Sequence, residues 1–299
     1  MPRYCPSTIL YNQRRMSEEH TDAGRRKMDW RRTALVVQGG GMRSAFSAGA
    51  LDGLSDDWRK AAGYGSSAGA INLAYFFCGQ MEDLRRLYFE LVLKRGVIRP
   101  WRLWRIIDVE RLVRVMKIET PLRIPHSGLR LTVPVLRADN ATLEYINLED
   151  KDTDEVYDVL SASAAIPILY DRAVTLNGVK YVDGALLDTL PVERAVSDGM
   201  DQLLVISNRP MSARRLKQPF MKRTSKQFIA RRSGVAVSRL IGVEDPAYNA
   251  LMARLEAGDY GDAVRIIAPN HTVEPKRTET GQSTLGELWS SGRAMTSLL

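Results

Sequence analysis

The chain predicts an α/β fold of three layers, a mainly parallel central sheet with helices on both faces. Three observations carry that expectation. The run Ala34-Leu35-Val36-Val37-Gln38 is uncharged and stopped by three glycines, as a strand buried on both faces would be. A second short strand near Ala61–Tyr64 also ends in a glycine turn that opens a helix. Strand-like and helix-period segments then alternate to the end of the chain.

Taken in order, the first strand leads into a helix with Phe46, Ala50, Leu51 and Leu54 on one face. The second hands over at Ser67 to a helix over Ala70–Phe77. Leu84, Leu87, Tyr88, Leu91 and Val92 recur at helical spacing and make Glu82–Lys94 amphipathic. Val109, Leu112, Val113 and Met116 mark another helix. Leu129, Leu131, Val133 and Val135 alternate, which signals a strand, and the Asp139-Asn140 turn returns the chain into Leu143–Leu148. Asp154–Ala165 reads as a helix ending at Pro167. Asn177-Gly178 joins Ala173–Leu176 to Val179–Val182 as a hairpin. A helix over Pro191–Gly199 has proline in its first turn. Gln202–Ser207 and Ala263–Ala268 are further strands, separated by a basic segment and a helix over Ala247–Ala257.

With 299 residues, 44% of them hydrophobic, the chain can bury one large core. The expected organisation is a polar, disordered leader over residues 1–29 and a single domain over 30–299, without a linker. Cys5 and Cys78 are the only cysteines, too few for a disulfide framework, and point to a reducing, cytoplasmic compartment. The uncharged run Ala61–Met81 is long enough to span a membrane. Its glycines, serines, Asn72 and Gln80 suit a buried helix behind a turn better.

Two turns carry the chemistry. Gly39-Gly40-Gly41-Met42-Arg43 offers backbone N–H donors for a developing oxyanion. Gly65-Ser66-Ser67-Ala68-Gly69 has the form of a nucleophile elbow, with small residues that let Ser67 stand on a strained corner. Serine needs a base. Of the three histidines, His20 lies in the leader, His126 beside turn residues, and His271 late enough to imitate an α/β-hydrolase triad. Asp183, in Tyr181-Val182-Asp183-Gly184-Ala185, follows directly on a hairpin strand and is the other candidate; an ordinary Asp-Gly turn is its bland alternative. A dinucleotide fingerprint fits the first turn poorly. Ser44 stands where a third glycine belongs, and Asp56 and Asp57 lie in a loop.

Four blocks in order resemble the patatin-like phospholipases, serine acyl hydrolases that use a Ser–Asp dyad. They are Gly39–Arg43, Gly65–Gly69, Ala162-Ser163-Ala164-Ala165-Ile166-Pro167, and Asp183-Gly184-Ala185 followed by Leu190-Pro191-Val192. The resemblance runs from about Thr33 to Gly199, with a weaker echo from Ile266 to the final helix. It implies Ser67 as nucleophile and Asp183 as base, with Gly184 and Ala185 leaving room for close approach. The oxyanion hole would be built on Gly39, Gly40 and Gly41, with Arg43 supporting the loop. Ser44 departs from the family's further glycine. The implied substrate is a phospholipid, lysophospholipid or other acyl ester, and neither metal nor cofactor is needed.

The net charge of +8 favours anionic partners. Residues 209–232 hold nine Lys or Arg and no acid, with Met211, Phe220, Met221 and Phe228 among them. Residues 94–105 hold five, with Trp101 and Trp104. These segments suit peripheral contact with an anionic membrane, bases attracted to the surface and aromatics at the interface. A solvated basic face explains them as well. Nucleic-acid binding has no recognised motif behind it. Residues 99–119 are a candidate lid.

Overall fold

The computed structural model describes residues 28–99, 101, 105–167, 169–215, 223–242, 245–270 and 277–297. Most of the expected leader, His20, Cys5, Trp104, Phe220, Met221 and His271 lie outside the described residues.

The chain runs β1 (Thr33–Val37), α1 (Ala45–Asp52), β2 (Ala62–Gly65) and α2 (Ala68–Phe77). The next helical stretch is α3 (Met81–Arg86), a π-turn (Leu87–Leu91) and α4 (Val92–Lys94). After it come α5 (Val109–Glu119), β3 (Leu131–Arg137), β4 (Leu143–Asn147) and α6 (Thr153–Ala164). The hairpin of β5 (Val174–Leu176) and β6 (Val179–Asp183) leads to α7 (Val192–Ser197) and β7 (Gln202–Ile206). Helices α8 (Arg223–Ser233), α9 (Val235–Leu240) and α10 (Pro246–Ala257) precede β8 (Val264–Ile267) and α11 (Gln282–Thr296).

Among the described residues eight strands form one mixed, mostly parallel sheet, connected as β5-β6-β3-β2-β1-β7-β8 with β4 on β3. The pairings β1–β2, β1–β7, β2–β3 and β7–β8 are parallel; β3–β4, β3–β6 and β5–β6 are antiparallel. Both faces are covered, as the reading of β1 requires. Leu35 and Val37 face a core shared with α1, α2, α5 and α6, while Ala34 and Val36 face one built with α7 and α10. Asn177 and Gly178 take the left-handed angles of a tight hairpin, φ 48° and 80°.

Two details go beyond the sequence reading. Strand β3 is buried on both faces, Thr132 and Leu136 along with Leu131, Val133 and Val135. The basic segment 209–232 runs into α8, and α9 follows it.

One feature of the sheet positions the site. Strand β4 covers one edge of β3 from Thr132 to Leu136, so β2 and β6 must share the other. There β2 pairs at Leu131 and Thr132 and runs with β3, whereas β6 pairs from Arg137 back to Val135 and runs against it. The two strands therefore advance on each other and stop at a gap opposite Pro134. Backbone groups of Arg130 and Ala138 bond towards this edge, to Gly63 and Lys180. By the two-residue alternation Pro134 faces it too, and a proline has no N–H to leave unpaired there.

Candidate active site

Ser67 stands at the end of β2 and Asp183 at the end of β6, so the opposed strands bring them to the same gap. Ser67 has φ 53° and ψ −129°, a left-handed conformation that costs about 1–3 kcal/mol in a non-glycine residue. Its surroundings hold it. The Ser67 N–H donates to Ser163 Oγ at 2.8 Å, and Gly69 and Ala70 donate to the carbonyls of Ser66 and Ser67 at 2.8 and 3.0 Å. A Cβ on Gly65 would lie 2.9 Å from Ala70 N, and one on Gly69 2.6 Å from Val37 O, so both flanking positions demand glycine. Ser67 occupies the N-cap position of α2, yet its hydroxyl does not cap the helix.

Asp183 is buried. One carboxylate oxygen accepts from Ala185 N at 2.8 Å, and its own N–H donates to Ala165 O at 3.0 Å. Burial pushes its pKa up to about 6, opposed in turn by the Ala185 N–H, a hydrogen bond from the Ser67 side chain, and the charges of Arg277 and Arg215. Gly184 packs against β3 so closely that a Cβ would meet Pro134 C and O at 2.5 Å. The third sequence block now has a task. Ser163 accepts from Ser67 N and donates to Pro134 O at 3.4 Å, tying the elbow to the central strand across the gap.

The glycine turn divides its labour. Gly39 N–H donates to Thr189 O and to Ser66 Oγ, both at 3.1 Å, so it faces inward and is not available to a substrate. Among the described residues the N–H groups of Gly40, Gly41 and Ala68 have no partner. Gly41 (φ 59°) and Ala68 line the same cleft as Ser67. Arg43 is buried beneath the turn. Below it runs a polar network the sequence did not suggest. Asn208 Nδ2 donates to Gln38 O and to Ser44 Oγ, its Oδ1 accepts from Ser47 N, and Asn72 Nδ2 donates to Ser44 O at 2.9 Å. Tyr88 OH closes the network on Asn72 Oδ1 at 3.1 Å.

From Ser67 an apolar cleft of about 590 Å³, mouth included, opens under the π-turn. Ile71, Leu87, Tyr88, Val92, Val97, Ile98, Ile107, Leu112, Ala164 and Ile166 line it. Part of the candidate lid, Ile107 and Leu112, thus forms a wall of the cleft. Of the basic residues in 94–105, Lys94 pairs with Glu90, Arg95 with Glu119, and Arg105 with Asp108 and Glu110, while Trp101 is 78% exposed. In the second segment Arg214 pairs with Glu256 and Arg215 with Asp245. Asp56 and Asp57 pair with Arg59 and Lys60 in a surface turn, far from a nucleotide-binding role. No helix among the described residues is long and apolar enough to cross a membrane.

The family model for the patatin-like phospholipases matches residues 35–196, more than half of the chain and the stretch that contains both strand ends. The chain belongs to the patatin-like phospholipase family. A relative, the uncharacterized protein YjjU of Escherichia coli (strain K12), is 35% identical over 190 residues, which are 60% of this chain and 52% of that protein. The chain thus spans about half the length of this curated relative. Among solved structures, VipD from Legionella pneumophila matches with a TM-score of 0.44 at 14% identity, over 87% of this chain and 67% of that one. Within the patatin-like match lie the glycine turn, the elbow, Ser163 and Asp183; Asn208, Arg215 and Arg277 fall beyond it.

Proposed function

We propose that this patatin-like protein hydrolyses carboxylic esters of phospholipids or lysophospholipids through a Ser67 acyl-enzyme. The observation that supports this most is the meeting of Ser67 and Asp183 at the gap in the sheet, beside a cleft lined by aliphatic side chains. Ser67 Oγ attacks the ester carbonyl while its proton passes to Asp183. The tetrahedral oxyanion takes hydrogen bonds from the N–H groups of Gly40, Gly41 and Ala68, each donor worth about 3 kcal/mol in such sites. Collapse expels the alcohol, which leaves with the proton from Asp183. Water then gives a proton to the same carboxylate and attacks the acyl-enzyme; collapse returns that proton to Ser67 Oγ and releases the fatty acid. A base with a pKa of about 6 is ionised at neutral pH yet basic enough to serve.

The protein works in the cytoplasm at the surface of an anionic membrane, with Trp101 reaching the interface and the segment 209–232 supplying charge. The pairing of Lys94, Arg95 and Arg105 leaves segment 94–105 the weaker electrostatic contributor.

Fluorophosphonate labelling followed by mass spectrometry of the digest tests the chemistry. Ser67 is the expected site of modification, and Ser67→Ala loses hydrolysis by roughly 10⁴-fold or more. Labelling elsewhere, or full esterase activity in Ser67→Ala, removes the assignment. His271→Ala keeps activity if Asp183 is the base. Sedimentation with vesicles tests the surface: equal binding to neutral and anionic lipid defeats the electrostatic account.

A further inference from the structure

Two arginines stand at the rim of the site without a task in the reaction above. Arg277, in the stretch before α11, lies directly on the glycine turn. Its carbonyl accepts from Met42 N at 2.9 Å, and a Cβ on Gly41 would come within 2.6 Å of that oxygen and 3.3 Å of the Arg277 Cβ. Arg215 flanks the other half of the site, its Nη1 3.3 Å from Ala185 O, two residues beyond Asp183. It is held in place by Asp245 at 2.9 Å and by stacking over the Tyr248 ring at 4.7 Å.

The two differ in how their charges are met. Arg215 has Asp245. Arg277 makes no ion pair or side-chain hydrogen bond among the described residues, and it is only partly exposed. Burial pushes its pKa down most and the neighbouring Arg215 charge next; among the described residues Asp183 is the anion that supports it against them, and Arg209 adds to the lowering. When Asp183 takes the serine proton that support disappears. An anion carried by the substrate would replace it, and a guanidinium fork matches phosphate oxygens in geometry as well as charge.

We infer that Arg277, assisted by Arg215, receives the phosphate of the substrate's head group while the acyl chain lies in the apolar cleft. The inference rests on the acyl-hydrolase reading and narrows it: the preferred esters carry a phosphodiester near the scissile carbonyl, in contrast to neutral glycerides.

The test compares a short-chain phosphatidylglycerol, dissolved as monomer so that membrane adsorption plays no part, with a p-nitrophenyl ester of the same acyl chain. In Arg277→Gln the ratio of the two kcat/KM values, phospholipid over neutral ester, falls by about tenfold or more, as loss of a charged hydrogen-bond donor predicts. The loss appears mainly in KM, and Arg277→Lys recovers part of it. An Arg277 that only tunes Asp183 changes both substrates alike and shifts the pH profile, so an unchanged ratio overturns the inference. A measurement on the unaltered protein covers the case of a variant that does not fold. A non-hydrolysable dialkyl ether phospholipid inhibits neutral-ester hydrolysis about tenfold better than the matching dialkylglycerol; equal inhibition overturns the inference. Inorganic phosphate tests the other source of the same anion. If it alters neutral-ester hydrolysis through Arg277 while the phospholipid ratio stays constant, the site binds free anion and the head-group assignment falls. Failure of the parent reading looks different: neither substrate is cleaved and Ser67 takes no fluorophosphonate.

Discussion

The surroundings of Ser67 divide into two regions made of opposite materials, and each comes from a different part of the chain. The cleft is walled by Leu87, Tyr88, Val92, Val97, Ile98 and Leu112, from the π-turn and the segment that follows it. The other region holds Asp183, Arg215 and Arg277, drawn from the end of β6 and from far later stretches. One region excludes water and the other concentrates charge. Under the proposed reaction, a molecule with an apolar tail and an ionic head would lie across them in a single orientation that sets its ester over the serine. The strand ends differ as well. Ser67 stores backbone strain, whereas Asp183 sits at φ −56° and stores its cost in desolvation.

The comparison breaks most severely at Asp183. Under the proposed mechanism Asp183→Asn should lower kcat/KM by roughly 10³-fold or more, since Ser67 would lose its base. The same change should stabilise the fold. Raising the carboxyl pKa from 3.8 to about 6 is about two units, or about 3 kcal/mol at pH 8. The direction follows from proton binding. Between pH 4 and 6 the native state holds more protons at this group than the unfolded state, so its contribution falls as pH rises and the full cost applies above 6. Thermal unfolding at pH 5 and pH 8 checks this: the gain of the variant should be larger at pH 8. In the unaltered protein kcat/KM should rise through pH about 6 and level off above it.

Asn208→Ala leaves the charged region intact but loosens the support of the glycine turn. About a hundredfold loss in kcat with little change in KM is expected, somewhat less than removal of an oxyanion donor itself. Stopped-time assays at saturating substrate measure it. A smaller effect sharpens the apolar side. Leu112→Trp should shorten the cleft and reduce kcat/KM for long acyl chains by about tenfold relative to short ones, the range that methylene-scale discrimination allows. A series of esters of increasing chain length reads this directly.

Much of this arrangement was legible before any coordinates, because it is local. The stop of β1 at glycine, the elbow around Ser67 and the Asn177-Gly178 hairpin each announce themselves within a few residues. Asp183 was a candidate at the end of a hairpin strand, but an ordinary Asp-Gly turn reads the same locally, and only the ordered set of blocks raised it above that. Ser163 had a place only in a pattern of blocks, and its hydrogen bond to Ser67 N spans 96 positions. Asn208 was silent for the same reason: its partners are Gln38, Ser44 and Ser47, and nothing near it in the chain marks it out. Gly39 was expected among the oxyanion donors, but its amide is spent on Thr189, a residue brought in by the loop before α7. Helix α8 was hidden by the density of basic charge, which blurred the apolar period, and α9 is too short to show one.

A sheet interrupted where two of its strands abut has, in effect, an unsealed seam running through its interior. Any residue but proline at the centre of that seam would leave a buried amide without a partner. The imino acid at position 134 has no amide to strand, and its carbonyl is taken by the hydroxyl at position 163. The ladder thus breaks where the two strand ends meet without orphaning a backbone group.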